Sequence, residues 1–130
     1  MKMSVSKIPA VGLALCMAAA PAAAEQLAGH EIERLISGEQ VTLNTPFGIG
    51  LPLRYRQNGS VVGDVSGISA ARMFTPSEEG RWWVENDQLC QKWPTWYKGR
   101  QFCFRITSLG KGKIAWLRDD GYSGTARVGQ

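Results

Sequence analysis

The sequence predicts an all-β fold: a small antiparallel meander barrel, or a sandwich, of seven to eight short strands with a short N-terminal helix and one disulfide. Three observations carry that expectation. Short runs alternate apolar and polar residues at the period of a half-buried strand. Most of them are joined by Gly- or Asn-containing segments of hairpin length. Once an N-terminal leader is removed, two cysteines remain, Cys90 and Cys103, which permit a single intramolecular pair.

The leader occupies residues 1–24. Lys2 and Lys7 give it a positive start, residues 8–20 form an apolar run of 13, and Pro21-Ala22-Ala23-Ala24 supplies the small residues a signal peptidase reads. The run is too short and too rich in alanine to span a membrane. Cleavage after Ala24 leaves one domain, residues 25–130, with no transmembrane segment and a periplasmic or secreted location. Cys16 raises a rival reading as a lipid-modified cysteine, but Leu15 stands where such signals carry a small residue. In an oxidising compartment Cys90 and Cys103 form a structural disulfide. Their spacing argues against a redox pair, which usually sits two residues apart at a helix start.

The elements follow in order. Ile32, Leu35 and Ile36 share one helical face, Glu31 and Glu33 suit the positive end of the helix dipole, and Gly38 stops the helix, so residues 30–37 are predicted helical. Val41 and Leu43 mark a strand over 40–44. Leu51, Leu53 and Tyr55 alternate with Pro52, Arg54 and Arg56 in the next, and Asn58-Gly59 turns it into a strand over 60–65. Residues 67–79 carry no pattern and read as a loop. Strands over 82–85 and 88–93 flank Asn86-Asp87, and strands over 101–107 and 113–118 flank a glycine-rich turn at 108–112. Asp119-Asp120-Gly121 then leads to a last strand over 125–128. A barrel is favoured over an open sheet because closure removes edges that would aggregate. The helix is expected to cap one mouth.

Assembled in this way, the chain resembles a group of small uncharacterised exported proteins of alphaproteobacteria, of the domain-of-unknown-function type. The resemblance rests on Glu31-Ile32-x-x-Leu35-Ile36-Ser37-Gly38, Tyr55-x-x-Asn58-Gly59, Gly80-Arg81-Trp82, Leu89-Cys90-Gln91-Lys92-Trp93 and Cys103-Phe104. Those motifs cover most of the exported chain. The sequence departs from them at Glu39-Gln40, where a small polar pair is usual, and in the apolar stretch 46–53. The resemblance implies export, a disulfide and a small β fold. It implies no activity and carries over no functional residue.

Catalytic chemistry finds little footing. His30 is the single histidine, so no histidine metal site or serine–histidine–acid arrangement can be assembled around a partner, and no metal or other cofactor is expected. Glu78-Glu79, Glu85 with Asp87, and Asp119-Asp120 are the acid pairs, and all read as solvated acids of turns or strand ends. Gly110-Lys111-Gly112-Lys113 lacks the spacing of a phosphate loop. Asn58-Gly59-Ser60 matches a glycosylation sequon that the turn explains. No enzyme is expected.

Charge points instead to binding. The exported chain has 13 basic and 11 acidic residues, a balance of +2. Residues 88–118 hold seven basic residues and no acid, interleaved with Trp93, Trp96, Tyr97, Phe102, Phe104 and Trp116. Alternation assigns Phe102, Phe104, Ile106, Ile114 and Trp116 to a core. Pro94 and Gly99 place Trp93, Trp96 and Tyr97 in a loop over 93–100, tied at its base by the disulfide. The candidate binding residues are therefore Trp93, Trp96, Tyr97, Lys98 and Arg100, supported by Arg105, Lys111 and Lys113. The expected partner is an envelope component, whether anionic polymer, polysaccharide, lipid head group or protein. Nucleic acid is not expected in that compartment, and the protein is expected to be a monomer. Against this stands the bland alternative that the aromatics pack inward, with Trp96 folded back as a plug. Two other functions are weighed, an inhibitor of a cell-wall hydrolase and a carrier of a small apolar ligand inside the barrel.

Overall fold

The alternation of the sequence becomes the inside and outside of a closed barrel. A computed structural model describes residues 24–46, 48, 50–64 and 77–129. Within them the chain forms β1 (Glu25–Gln26), α1 (Gly29–Ile36), β2 (Gln40–Asn44), β3 (Gly50–Tyr55), β4 (Ser60–Gly63), β5 (Glu78–Glu85) and β6 (Gln88–Lys92). A short turn, η1 (Trp96–Gly99), then precedes β7 (Gln101–Gly110), β8 (Lys113–Arg118) and β9 (Ser123–Val128). From β2 to β9 each strand pairs antiparallel with its sequence neighbours, and β9 returns to pair with β2. The result is an eight-stranded up-and-down barrel. β1 adds a ninth strand, unforeseen in the sequence because two residues carry no period. It lies along β7 beyond the end of β6, with Glu25 opposite Ser108 and Gln26 opposite Thr107.

The leader, apart from Ala24, lies outside the described residues, as do residues 65–76 of the expected strand end and loop. Several boundaries differ from expectation. The helix begins one residue earlier and ends at Ile36, with Ser37 as its cap, whose N–H donates to the Glu33 carbonyl. β5 starts at Glu78, so Glu78 and Glu79 belong to a strand rather than a loop. β7 runs through Ser108, Leu109 and Gly110 with a bulge there, which leaves only Lys111 and Gly112 in the turn. Asn86-Asp87 is the tight two-residue turn, with both φ angles positive at 51° and 56°. At Asn58-Gly59 the loop is longer: Gly59 donates back to the Arg56 carbonyl and adopts φ +91°, while Asn58 caps the N–H and hydroxyl of Ser60.

The helix seals one end. Ile32 and Ile36 are fully buried, and α1 packs on β5 and β6. Its first N–H groups are satisfied from two directions. Glu31 accepts from Ala28 N–H, and Asp87, held by the β5–β6 turn, accepts from Gly29 N–H at 2.7 Å. The expected cap at one mouth is therefore present. The Cys90–Cys103 disulfide joins directly opposed residues of β6 and β7, two pairs below the point where the chain leaves for η1. It closes a loop worth about 3 kcal/mol in the chain-entropy account.

Three glycines set the shape of the interior. Gly63, Gly80 and Gly124 face inward, and a side chain on any of them would collide with an indole. Ideal Cβ atoms there would lie 2.3 Å from Trp96, 3.0 Å from Trp93 and 2.6 Å from Trp116 respectively. Each ring thus lies against the bare backbone of another strand. Gly80 is the least forgiving, because its Cβ would also stand 2.5 Å from the Lys92 carbonyl oxygen, which the β5–β6 ladder fixes. Gly80→Ala is expected to lower stability by about 1–3 kcal/mol, measured as a fall in the urea midpoint with an unchanged slope.

Candidate functional site

The indoles lie along the wall, so the barrel axis is not filled. A cavity of about 230 Å³ runs from Ile36 of the helix to the opposite mouth. Val41, Leu53, Leu89, Ile106, Ile114 and Ala126 form its lower wall, and Leu43, Leu51, Trp93, Phe104 and Trp116 its upper wall. Thr45, Pro46, Trp96, Tyr97 and Arg118 surround the mouth. Most of these residues come from the inward parity of their strands, which is why a ring of alternating strands makes an apolar lumen.

Polar groups on this wall are few. Tyr55 and Gln91 are both buried, and the Tyr55 hydroxyl donates to Gln91 Oε1 at 2.6 Å. Burial, with a smaller contribution from Tyr97, pushes the Tyr55 phenol pKa up, so the hydroxyl stays protonated. Tyr55 also stands edge-on to Trp82, whose indole N–H donates to the Arg56 carbonyl at 2.8 Å. Trp93 and Trp116 differ: their indole N–H groups are buried without an acceptor among the described residues.

The mouth is built by η1 and its supports. Tyr97, Lys98 and Gly99 have φ angles of 58°, 57° and 70°, a left-handed turn that costs of order 1–3 kcal/mol at each of the two non-glycine positions. Glu78, at the start of β5, holds it. Its carboxylate accepts from the N–H of Thr95 and the N–H of Trp96, each at 3.0 Å, and from the Thr95 hydroxyl. Burial raises the Glu78 pKa, but these three donors outweigh it and leave the group below the ordinary 4.5. The clamp turns Trp96 inward over Gly63, with its ring 4.5 Å from that of Trp93.

Arg118 organises the other side. Its guanidinium lies 4.2 Å from the Phe102 ring centre, 4.7 Å from Tyr122 and 5.3 Å from Tyr97. Nε and one terminal nitrogen donate to Asp120 at 2.7 and 2.9 Å. The hydrogen bond from Arg118 holds the Asp120 carboxyl below its usual range.

The sequence-predicted site residues are placed as follows. Cys90 and Cys103 are bonded. For two of the loop aromatics the inward alternative describes the structure: Trp93 is 1 % exposed and Trp96 is half-buried, both on the cavity wall. Trp93 follows Leu89 and Gln91 at the inward parity of β6, and Glu78 pulls Trp96 in. Tyr97 is 47 % exposed, and Lys98 and Arg100 are exposed beside it. Lys111 lies in the β7–β8 turn and Lys113 at the start of β8, at the opposite end of the barrel, and Arg105 is on the outer face between. The seven basic residues therefore form no single patch. Tyr55, Gln91 and Arg118 were not singled out. For Gln91 a signal existed, a polar residue at the inward position between Leu89 and Trp93. His30 is exposed on α1. Among the described residues no three metal-ligating side chains gather, and no helix is long and apolar enough to cross a membrane.

The fold and the cavity define the class: an up-and-down β-barrel with an apolar lumen closed by a helix at one end. Beyond that class, no protein-family model, curated protein or solved structure matches the chain.

The Glu78 clamp has a calculable pH dependence. Its folded pKa is lowered, so its contribution is present above 4.5 and is lost as pH falls through the lowered value. Glu78→Ala is expected to red-shift tryptophan emission at pH 7 as Trp96 is released. In the wild type the same shift should emerge only on acidification below pH 4.5, and in the variant that acid step should be absent.

Proposed function

We propose that this is an exported, non-enzymatic binding protein that takes one small, largely apolar ligand into the barrel. The observation that carries this reading is the axial cavity of about 230 Å³. An eight-stranded barrel is just wide enough for its side chains to fill, or to hold one small ligand. Here the three indoles that could fill the axis are seated on glycines and lie along the wall. A dry apolar cavity of about 150 Å³ already binds benzene, so this space suits a single ring with a short substituent.

Native mass spectrometry of protein purified without detergent is expected to show a population heavier than the bare chain by one small ligand. Ala126, buried on the cavity wall, supplies the matching variant. Ala126→Phe is expected to fill the space and weaken binding of toluene at least about tenfold, followed by NMR shifts of the Trp93 and Trp116 indole protons. Bare mass alone, together with indole shifts that toluene leaves unmoved in the wild type, would sink the reading.

A second reading keeps the rim as a contact for an anionic or polysaccharide envelope partner. It is supported by the exposure of Tyr97, Lys98 and Arg100 on one side of the mouth. The triple replacement by alanine should then reduce binding to isolated envelope fractions severalfold. Undiminished binding would remove the rim from consideration.

A further inference from the structure

We propose that the outside of the barrel carries a second binding surface, a row of cations across β8, β9, β2 and β3 that takes a linear polyanion. It stands apart from both the lumen and the rim of the mouth. Strands β7, β8, β9, β2 and β3 are contiguous in the barrel and contain no aspartate or glutamate. Of the eight barrel strands only β5 carries acids. Arg118 turns in to the mouth, but Arg54, Arg105, Lys113 and Arg127 have the outward parity of their strands and are exposed. None of these four forms an ion pair among the described residues.

Strand register sets three of them in line. Lys113 stands directly opposite Arg127, and Arg127 opposite Thr42. On β2, Gln40 donates to the Thr42 hydroxyl at 3.3 Å and accepts at 3.4 Å from Arg54, its partner on β3. Three steps between neighbouring strands make a row about 15 Å long. Glu39 adjoins the row just before Gln40 and forms no ion pair with it. Two cations directly opposed across a strand pair repel, and a bound anion relieves that repulsion. Arg81 opposite Lys92 is another such pair, but Glu79 shares the outward face of β5 two positions from Arg81. The direction of the row selects the partner. Its cations and donors succeed one another across a convex wall, so a chain of anionic groups meets them in turn. A bilayer surface calls for large apolar side chains inside the contact. Here Thr42, Thr125 and Pro52 stand among the cations, and exposed Leu109 lies past the β8 end.

Polyphosphate and polygalacturonate test the row with phosphate and carboxylate groups respectively, and phosphatidylglycerol vesicles supply the flat alternative. Affinities are titrated over a range of salt concentrations for wild type and for the double variant Lys113→Gln with Arg127→Gln. Arg81→Gln with Lys92→Gln serves as the control, since it removes the same charge from another opposed pair. At least one polymer is expected to bind wild type. In the row variant its affinity should fall about tenfold, and the slope of log affinity against log salt should shrink by about one for each cation removed. The control should leave both unchanged. Equal losses in the two variants report net charge alone and overturn the row. Failure of both polymers to bind at low salt overturns it as well, and vesicle binding in their absence assigns the face to a membrane instead. Should the row variant not fold, amide shifts of the wild type decide. The bound polymer must move Thr42, Lys113 and Arg127 more than Lys98 and Arg100, and equal or greater movement at the rim overturns the proposal.

Discussion

The fit of three indole rings against three inward-facing glycines is the constraint on which the interior depends. A closed ring of eight strands encloses a narrow lumen, and three tryptophans could occlude it. Trp93 lies against Gly80, Trp96 against Gly63 and Trp116 against Gly124, each ring occupying the place of a missing side chain. The indoles thereby become part of the wall. The floor is made separately, by the buried Ile32 and Ile36 of the helix, and the mouth by a strained turn. A wall of aromatic rings around an unfilled axis follows from glycine placement more than from any single large residue.

The mouth shows how a small barrel holds an unfavourable backbone in place. Two consecutive non-glycine residues in the left-handed region would relax if the turn were free. The Glu78 carboxylate ties the turn from one side, and the stack of Tyr97 on Arg118 ties it from the other. The disulfide fixes the two strands from which the turn departs. Charge that looked like a binding signal in the sequence is partly spent inside this scaffold. Arg118 belongs to an aromatic and carboxylate cluster, and Lys111 and Lys113 are a barrel length away.

Much of the fold was legible because strand parity and turn chemistry are local. Leu51, Leu53 and Tyr55, or Phe102 and Ile106, announce an inner face every second residue, and Asn86-Asp87 announces a tight turn. β1 was not legible, since two residues carry no period and pair only because β7 outruns β6. The candidate site was legible in part. The region 93–100 borders the cavity mouth, but the direction of Trp93 and Trp96 was left open, because Pro94 and Gly99 read as loop punctuation. The parity of Leu89 and Gln91 extends one step further than that punctuation suggests. Gln91 and Tyr55 escaped notice because each looks ordinary until the two are brought together across the lumen.

The bare chain settles which face of each strand is apolar, where the hairpins fall and which two cysteines pair, because each depends on a few neighbouring residues or on simple counting. The closure of β9 on β2, the seating of indoles on glycines far away in sequence and the open axis depend on side-chain volumes summed across the whole ring. No local pattern encodes that sum. It exists once the strands are curved around a common axis, and it is there that an apolar core becomes a cavity.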